Sequence, residues 1–451
     1  MLDFLLGVLG FFVRVINFVL EIWSSISRLR RFARIVIAGR LDNDPEIKVP
    51  PDPRFCRWRQ NAMPCSEPRG GSLLRFAVIL AFASTVVSPA GAFTPTADQK
   101  ACATLPANAD VVAACTRIIE APSSSTLDRA ASYTFRADAA RADGNTTTAI
   151  ADYNQALALM PTLVPALSGR GIAYRNAQNY DLSLHDFDRA IAIQPDNSEL
   201  YNSRGIAYRA IGNTARAIAD FNKAIELEPD NAAAFNGRGT AYRVTGDFDR
   251  AIQDYDQAIK LNPNDVTAFY YRGIANGMRG ESDRAIQDFG QAIKINPNHV
   301  DALYSRGLTY SNKGLWDRAI QDYDEAIKLN PNYGRAISNR GNAYFAKRQY
   351  DRAIQDYDQA IKLDPNEAIP LNDRGSAYYQ IGQVDRAIQD FDLAITLNPN
   401  YPDALNNRGL AYIGKGQYDR AIQDFDQVLK LDPKDADAIR NRAMAIARKN
   451  N

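Results

Sequence analysis

Residues 300–333 read VDALYSRGLTYSNKGLWDRAIQDYDEAIKLNPNY, and this stretch decides the fold. In its second half Trp316, Ala319, Ile320, Tyr323, Ala326, Ile327 and Leu329 recur at the i, i+3, i+4, i+7 spacing of an amphipathic helix, which Pro331 brings to an end. Asp317 in its first turn complements the helix dipole. In the first half Leu303, Gly307 and Tyr310 share one helical face, and Gly314 supplies a turn that needs a positive φ. Small Gly307, Ala319 and Ala326 allow two helix backbones to approach closely, so the unit is predicted to be an αα-hairpin.

The unit recurs. Pro161, Pro195, Pro229, Pro263, Pro297, Pro331, Pro365, Pro399 and Pro433 stand at a constant interval of 34 residues. A strict period of that length is the mark of a solenoid, in which each hairpin buries its apolar face against its neighbours. Nine units of 34 residues (9 × 34 = 306) tile residues 130–435. Residues 436–451 begin a tenth first helix, whose Arg440, Arg442, Arg448 and Lys449 give the polar exterior of a capping helix.

With Val300 as position 1, the pattern resembles the tetratricopeptide repeat. That family places a large apolar residue, Gly, Tyr, Ala, Phe/Tyr, Ala and Pro at positions 4, 8, 11, 20, 24, 27 and 32. Residues 198–231 supply Tyr201, Gly205, Tyr208, Ala217, Phe221, Ala224 and Pro229. Departures are local: Ala137 and Ala140 in the first unit, Ser183 in the second, Asn276 in the fourth counted from residue 164, Val428 in the ninth, and Gln178 and Arg348 where the turn Gly is expected. The resemblance implies an all-α, right-handed α-solenoid of helix hairpins closed by a C-terminal capping helix.

Composition agrees with a packed chain: 46% hydrophobic and 23% charged residues exclude wholesale disorder. The 53 basic and 52 acidic residues nearly cancel, which removes the basic field expected of a nucleic-acid binder. Residues 1–92 hold 12 Lys/Arg against 7 Asp/Glu, so residues 93–451 hold 41 (53 − 12) against 45 (52 − 7). The amino-terminal part is a separate object.

Residues 1–23, MLDFLLGVLGFFVRVINFVLEIW, are long enough to span a bilayer, although Arg14 and Asn17 interrupt them, and Arg28, Arg30, Arg31 and Arg34 follow. A second apolar run, Phe76–Phe82, follows Arg69 and Arg75 and closes on Ala90-Gly-Ala92, the form of a secretory signal with its cleavage site. Residues 1–62 are thus an amino-terminal extension and 63–92 a signal peptide or signal anchor. One reading starts the protein at Met63. Another keeps both apolar segments as a hairpin with the Arg-rich loop inside the cell. Both make residues 93–451 extracytoplasmic, in the periplasm and with a possible inner-membrane anchor; a cytoplasmic chain with two sticky helices is the alternative. The 93–129 segment is short and helical, and its Cys102 and Cys115 form the only cysteine pair downstream, hence a disulfide in an oxidising compartment or two buried thiols.

Chemistry is sparse. The two histidines, His185 in a second helix and His299 in an inter-repeat turn, are expected to face solvent, and no metal-ligand cluster, phosphate loop or nucleophile elbow occurs. No catalytic residue, cofactor or metal is assigned, and the chain is expected not to be an enzyme. Arg at position 7 (Arg136, Arg170, Arg204, Arg238, Arg272, Arg306, Arg340, Arg374, Arg408) and Asp at position 23 (Asp152 through Asp424) recur in every unit, which points to a structural ion pair.

At about 100° per residue, positions 2, 5, 9 and 12 of the first helices lie away from both packing faces. In the tetratricopeptide family this resembles the set that lines the concave groove for partner peptides. Here it includes Asn202, Asn236, Tyr270, Tyr304, Asn372, Tyr379 and Asn406. Position 12 carries Arg141, Arg175, Arg209 and Arg243 in the first four units, then Gly277, Ser311, Phe345, Tyr379 and Ile413, a basic stripe followed by a largely apolar one. The family's clamp for C-terminal carboxylates is not reproduced as a set. The expected function is a protein-protein interaction scaffold that binds a protein or peptide in the groove, with an acidic segment against the Arg stripe and membrane contact only through residues 1–92. The alternative is an extracytoplasmic carrier or receptor for a small anionic ligand or polysaccharide.

Overall fold

The computed structural model describes residues 96–103 and 109–450. The apolar stretches, Ala90-Gly-Ala92, Cys56 and Cys65 lie outside the described residues. Among the described residues every regular element is an α-helix, and no helix is long and apolar enough to cross a membrane. Two short helices, α1 (Ala97–Cys102) and α2 (Ala109–Glu120), come first. Nine helix pairs follow, from α3 (Thr126–Ala142) with α4 (Thr146–Leu159) to α19 (Pro402–Gly414) with α20 (Tyr418–Leu431), and α21 (Ala436–Asn450) closes the array. From α3 onward each helix packs on the next, and each first helix also meets the first helix of the following repeat, which is the connectivity of a solenoid.

Cys102 and Cys115 are joined in a disulfide, and with Val111, Ala114 and Ile118 they form a small core against which Phe135 of α3 packs. α3 starts four residues ahead of residue 130. Ser125 caps it by accepting from the Asp128 amide, and Arg129 donates back to the Ala121 carbonyl, so the extra turn ties the first repeat to the disulfide-bonded segment.

Two features set the geometry of each hairpin. The turn glycines Gly144, Gly212, Gly246, Gly280, Gly314, Gly382 and Gly416 all have φ between 70° and 81°. Gln178 and Arg348 occupy the same left-handed region at 61° and 58°, a cost of about 1–2 kcal/mol each that the surrounding repeats hold in place. Inside the hairpin, the position 24 aromatic packs one ring edge against the position 8 glycine. The buried ring of Tyr323 comes within 2.8 Å of the point where a Cβ on Gly307 would stand. In the first repeat Ala137 takes the glycine's place, and Tyr153 instead presses on Gly169 of the next repeat, 2.5 Å from its Cβ point.

The recurrent Arg and Asp are paired in all nine repeats. Arg306 donates from Nε and Nη2 to Asp322 Oδ2 and Oδ1 at 2.8 and 2.7 Å, the same fork seen in every other repeat. The nine aspartates are buried, 1–6% exposed, and burial pushes the Asp356 and Asp424 carboxyls above the usual range. The remaining nitrogen does something the periodicity did not reveal. Nη1 of Arg204, Arg272, Arg340, Arg374 and Arg408 reaches back to Asp188, Asp256, Asp324, Asp358 and Asp392 of the preceding second helix at 2.6–2.7 Å, and Arg170 and Arg238 reach Asn154 and Asn222. One guanidinium thus fastens three helices. Two ends of the array imitate the link: Arg136 donates to Thr116 of α2, and Arg442 of α21 donates to Asp426. At Arg306 the corresponding position is Gly290, whose Cβ point is 3.6 Å from Nη1, and the link is missing. An outer ladder of exposed pairs, Lys313 with Asp283, Lys347 with Asp317, Lys415 with Asp385 and Lys449 with Asp419, adds little stability by comparison.

His185 is exposed, but the solvent-facing expectation for His299 is corrected by the structure. Its Nδ1 accepts from the Ala302 amide as the cap of the helix Val300–Asn312, and its ring lies 4.9 Å from that of Tyr270. The position before a first helix must satisfy free amides, and an imidazole there serves as a side-chain acceptor.

Candidate partner-binding groove

The first helices present their position 5 and position 12 side chains in a row, and the row changes character along the array. In the first repeat Arg141 is ion-paired: it donates to Asp138 at 3.1 Å, and Tyr153 donates to the same carboxylate at 2.8 Å. Among the described residues, Arg175, Arg209 and Arg243 have no carboxylate partner. Burial holds the Arg175 guanidinium below its ordinary value, and the charges of Arg141 and Arg209 on either side push the same way, so consecutive repeats bring these cations within each other's field. Arg209 and Arg243 each bury an Nε that has no acceptor, while Arg243 lies over the Tyr271 ring at 4.9 Å. Beside them Asn202 and Asn236 bury carbonyl oxygens without a donor, Asn236 turning its Nδ2 to Asp265.

The middle repeats are aromatic. The Tyr270 ring meets those of His299, Tyr271 and Phe289 at tilted angles, and burial pushes its hydroxyl up. Tyr304 packs on Tyr323 and Tyr333 and accepts from Asn339 at 2.9 Å. At position 12 Ser311 shares a hydrogen bond with Tyr323, and Phe345 meets Tyr350 edge-on.

Not every residue of the expected groove set is free. Ile413 is 5% exposed and belongs to a core with Tyr412, Phe425 and Ala445, because α21 covers the last repeat. Asn372 is buried too, accepting from Asn407 and donating to Asp373. Tyr379 is half-buried, its hydroxyl 3.8 Å from the Cβ point of Gly414, and Asn406 is half-buried with its Oδ1 wholly enclosed and unpartnered. Position 6 supplies groove residues that a helical wheel centred on positions 2, 5, 9 and 12 leaves at its margin. Asn339, Asp373 and Asn407 occupy it in successive repeats, where earlier repeats have Phe135, Gly169, Ser203, Gly237, Tyr271 and Ser305. That run of amide and acid in the last three repeats is the signal that marks them.

Family models described as Tetratricopeptide repeat match residues 198–231, 232–265, 254–287, 300–333, 322–355, 341–405 and 402–435, and one described as TPR repeat matches 278–314. Together they span residues 198–435, more than half of the 451-residue chain. The chain belongs to the tetratricopeptide repeat family, in general a non-enzymatic scaffold for protein interactions. No curated protein sequence matches it. Among solved structures, a tetratricopeptide repeat protein from Parabacteroides merdae is similar at 22% identity with a TM-score of 0.44, covering 55% of this chain and 98% of that one. YrrB, titled a TPR protein with an unusual peptide-binding site, is similar at 24% identity and TM-score 0.37, over 41% of this chain and 95% of its own. MamA is similar at 29% identity and TM-score 0.35, over 38% and 93%.

Proposed function

We propose that the array is a scaffold whose first-helix face holds a segment of a partner protein, with acidic residues of that segment seated against Arg175 and Arg209. The observation that carries this reading is the pair itself. Two half-buried guanidiniums, each in the other's repulsive field and without a carboxylate, are electrostatically unfavourable in the free protein, and an anionic partner relieves that. Arg→Glu at both 175 and 209 should slow association with a captured partner, measured by surface plasmon resonance, and flatten its dependence on salt while the melting temperature stays within a few degrees. Unchanged affinity and salt slope would place recognition elsewhere.

The same reading puts residues 93–451 outside the cytoplasm. It is supported by the Arg-flanked apolar run that ends on Ala90-Gly-Ala92 and by the disulfide between Cys102 and Cys115. Alkaline phosphatase fused after residue 130 should be active in a bacterial host. An inactive fusion would reverse the assignment.

A further inference from the structure

The far end of the same face is built for the opposite charge. The first helices of repeats 7 to 9 and α21 enclose a cavity of about 470 Å³, whose lining includes Asp373, Tyr401, Asp403, Asn406, Asn407 and Asn441. We propose that this cavity binds an organic cation, the ammonium or guanidinium of a basic side chain on the partner segment, so that the groove is bipolar from its Arg wall to its acidic end. The identity of the cation's bearer rests on the scaffold reading above; the cation site does not.

The inventory of donors and acceptors carries the argument. Among the described residues, Asn441 lines the cavity, is only 7% exposed and makes no side-chain hydrogen bond, and Asn406 of the same wall has an enclosed Oδ1 with no donor. Asp373 receives Asn372 Nδ2 at 3.2 Å, and among the described residues Asp403 forms no ion pair. The cation in the lining, Arg440, is already paired with Asp437 at 2.6 Å. Acceptors and negative charge are therefore in surplus, and an occupant must bring N–H donors and a positive charge. An anion is repelled. A metal ion is disfavoured because no group of three or more His, Cys, Asp or Glu among the described residues could hold one. Phe345 and Tyr401 add aromatic groups to the lining, which suits an ammonium or guanidinium.

Asp373 also gives the site a pH dependence. Burial raises its carboxyl to about 6, against the hydrogen bonds from Asn372 and Asn342, and the charges of Asp403 and Glu367 push it further up. Tyr357 and Tyr401 face it and remain protonated at neutral pH, their hydroxyls raised by burial and by its charge. A cation favours the ionised form, so binding should release protons near pH 6 and weaken as pH falls from 7.5 to 5.

Isothermal titration of the full chain with trilysine peptide and with spermidine tests the site without any knowledge of the partner. Trilysine should bind at low ionic strength, and Asp373→Asn should cut affinity about tenfold or more with the melting temperature held. Asp403→Asn, on the exposed rim, should weaken binding without any risk to folding. Binding of trilysine alone marks a polypeptide site, and equal binding of spermidine marks a free-amine site. The proposal is overturned if neither probe binds the unmodified chain, or if both variants bind as tightly as it does. Failure of both probes to bind the unmodified chain, with the Arg175 and Arg209 phenotype intact, would sink the cation site alone, and probe binding without that phenotype would sink the partner reading alone.

Discussion

Arg306→Ala should lower the stability of the array by about 3 kcal/mol or more, because it leaves the Asp322 carboxylate, 5% exposed, without its fork of two hydrogen bonds. The loss arises less from missing attraction than from a stranded charge. Replacing both partners, Arg306→Leu with Asp322→Leu, should therefore recover most of it. Denaturant unfolding followed by tryptophan fluorescence reports on this repeat through Trp316, which begins the helix that holds Asp322, with Trp23 and Trp58 replaced by Phe to remove their signal. If the single variant unfolds at the unmodified midpoint, water reaches Asp322 and the pair is a surface feature. The converse change lies one repeat upstream. Gly290→Asp would give Arg306 the backward link that its counterparts have and would remove a mid-helix glycine, for a gain of about 0.5–1 kcal/mol.

Why that link escaped the sequence while the fork did not is a matter of what periodicity records. Arg at position 7 and Asp at position 23 are invariant across nine units, and 16 residues separate donor from acceptor in each, so recurrence alone announces the pair. Position 25 runs Asn154, Asp188, Asn222, Asp256 and Gly290 before settling on Asp324, Asp358, Asp392 and Asp426, and a mixed column reads as surface. Only the stacking of one repeat on the next shows that Arg Nη1 points backward into it. The helix pairs, their turns and the aromatic-on-glycine core were legible because each is enforced within 34 residues. The groove was legible in outline, since positions 5 and 12 do line it, but the burial of Asn372 and Ile413 depends on neighbours and on α21. His299 shows the same limit from the other side: its place in a turn suggested solvent, while capping chemistry and Tyr270 half-bury it.

The second large effect concerns the aromatic wedge. Phe289→Ala should destabilise the array by about 3–5 kcal/mol, the range for removing a large buried aromatic side chain when the surroundings relax only in part. Phe289 is 3% exposed, and its Cε1 stands 2.7 Å from the Cβ point of Gly273, so ring and glycine are complementary shapes. Gly273→Ala should by itself cost about 1–3 kcal/mol through overpacking, even though alanine is the better helix former. The two sites must then couple. In Phe289→Leu the ring edge that faces Gly273 is gone, so adding Gly273→Ala to it should cost less than adding it to the unmodified chain, by about 1 kcal/mol or more in a double-mutant cycle. Strict additivity would mean that the glycine answers to backbone conformation and not to the ring. The outcome bears on the whole array, because Tyr323 on Gly307, Tyr357 on Gly341 and Phe391 on Gly375 repeat the contact at 2.7–2.8 Å. A spacing held this tightly fixes the angle between the two helices of each repeat, and that angle places Arg175, Arg209 and the far cavity along one face.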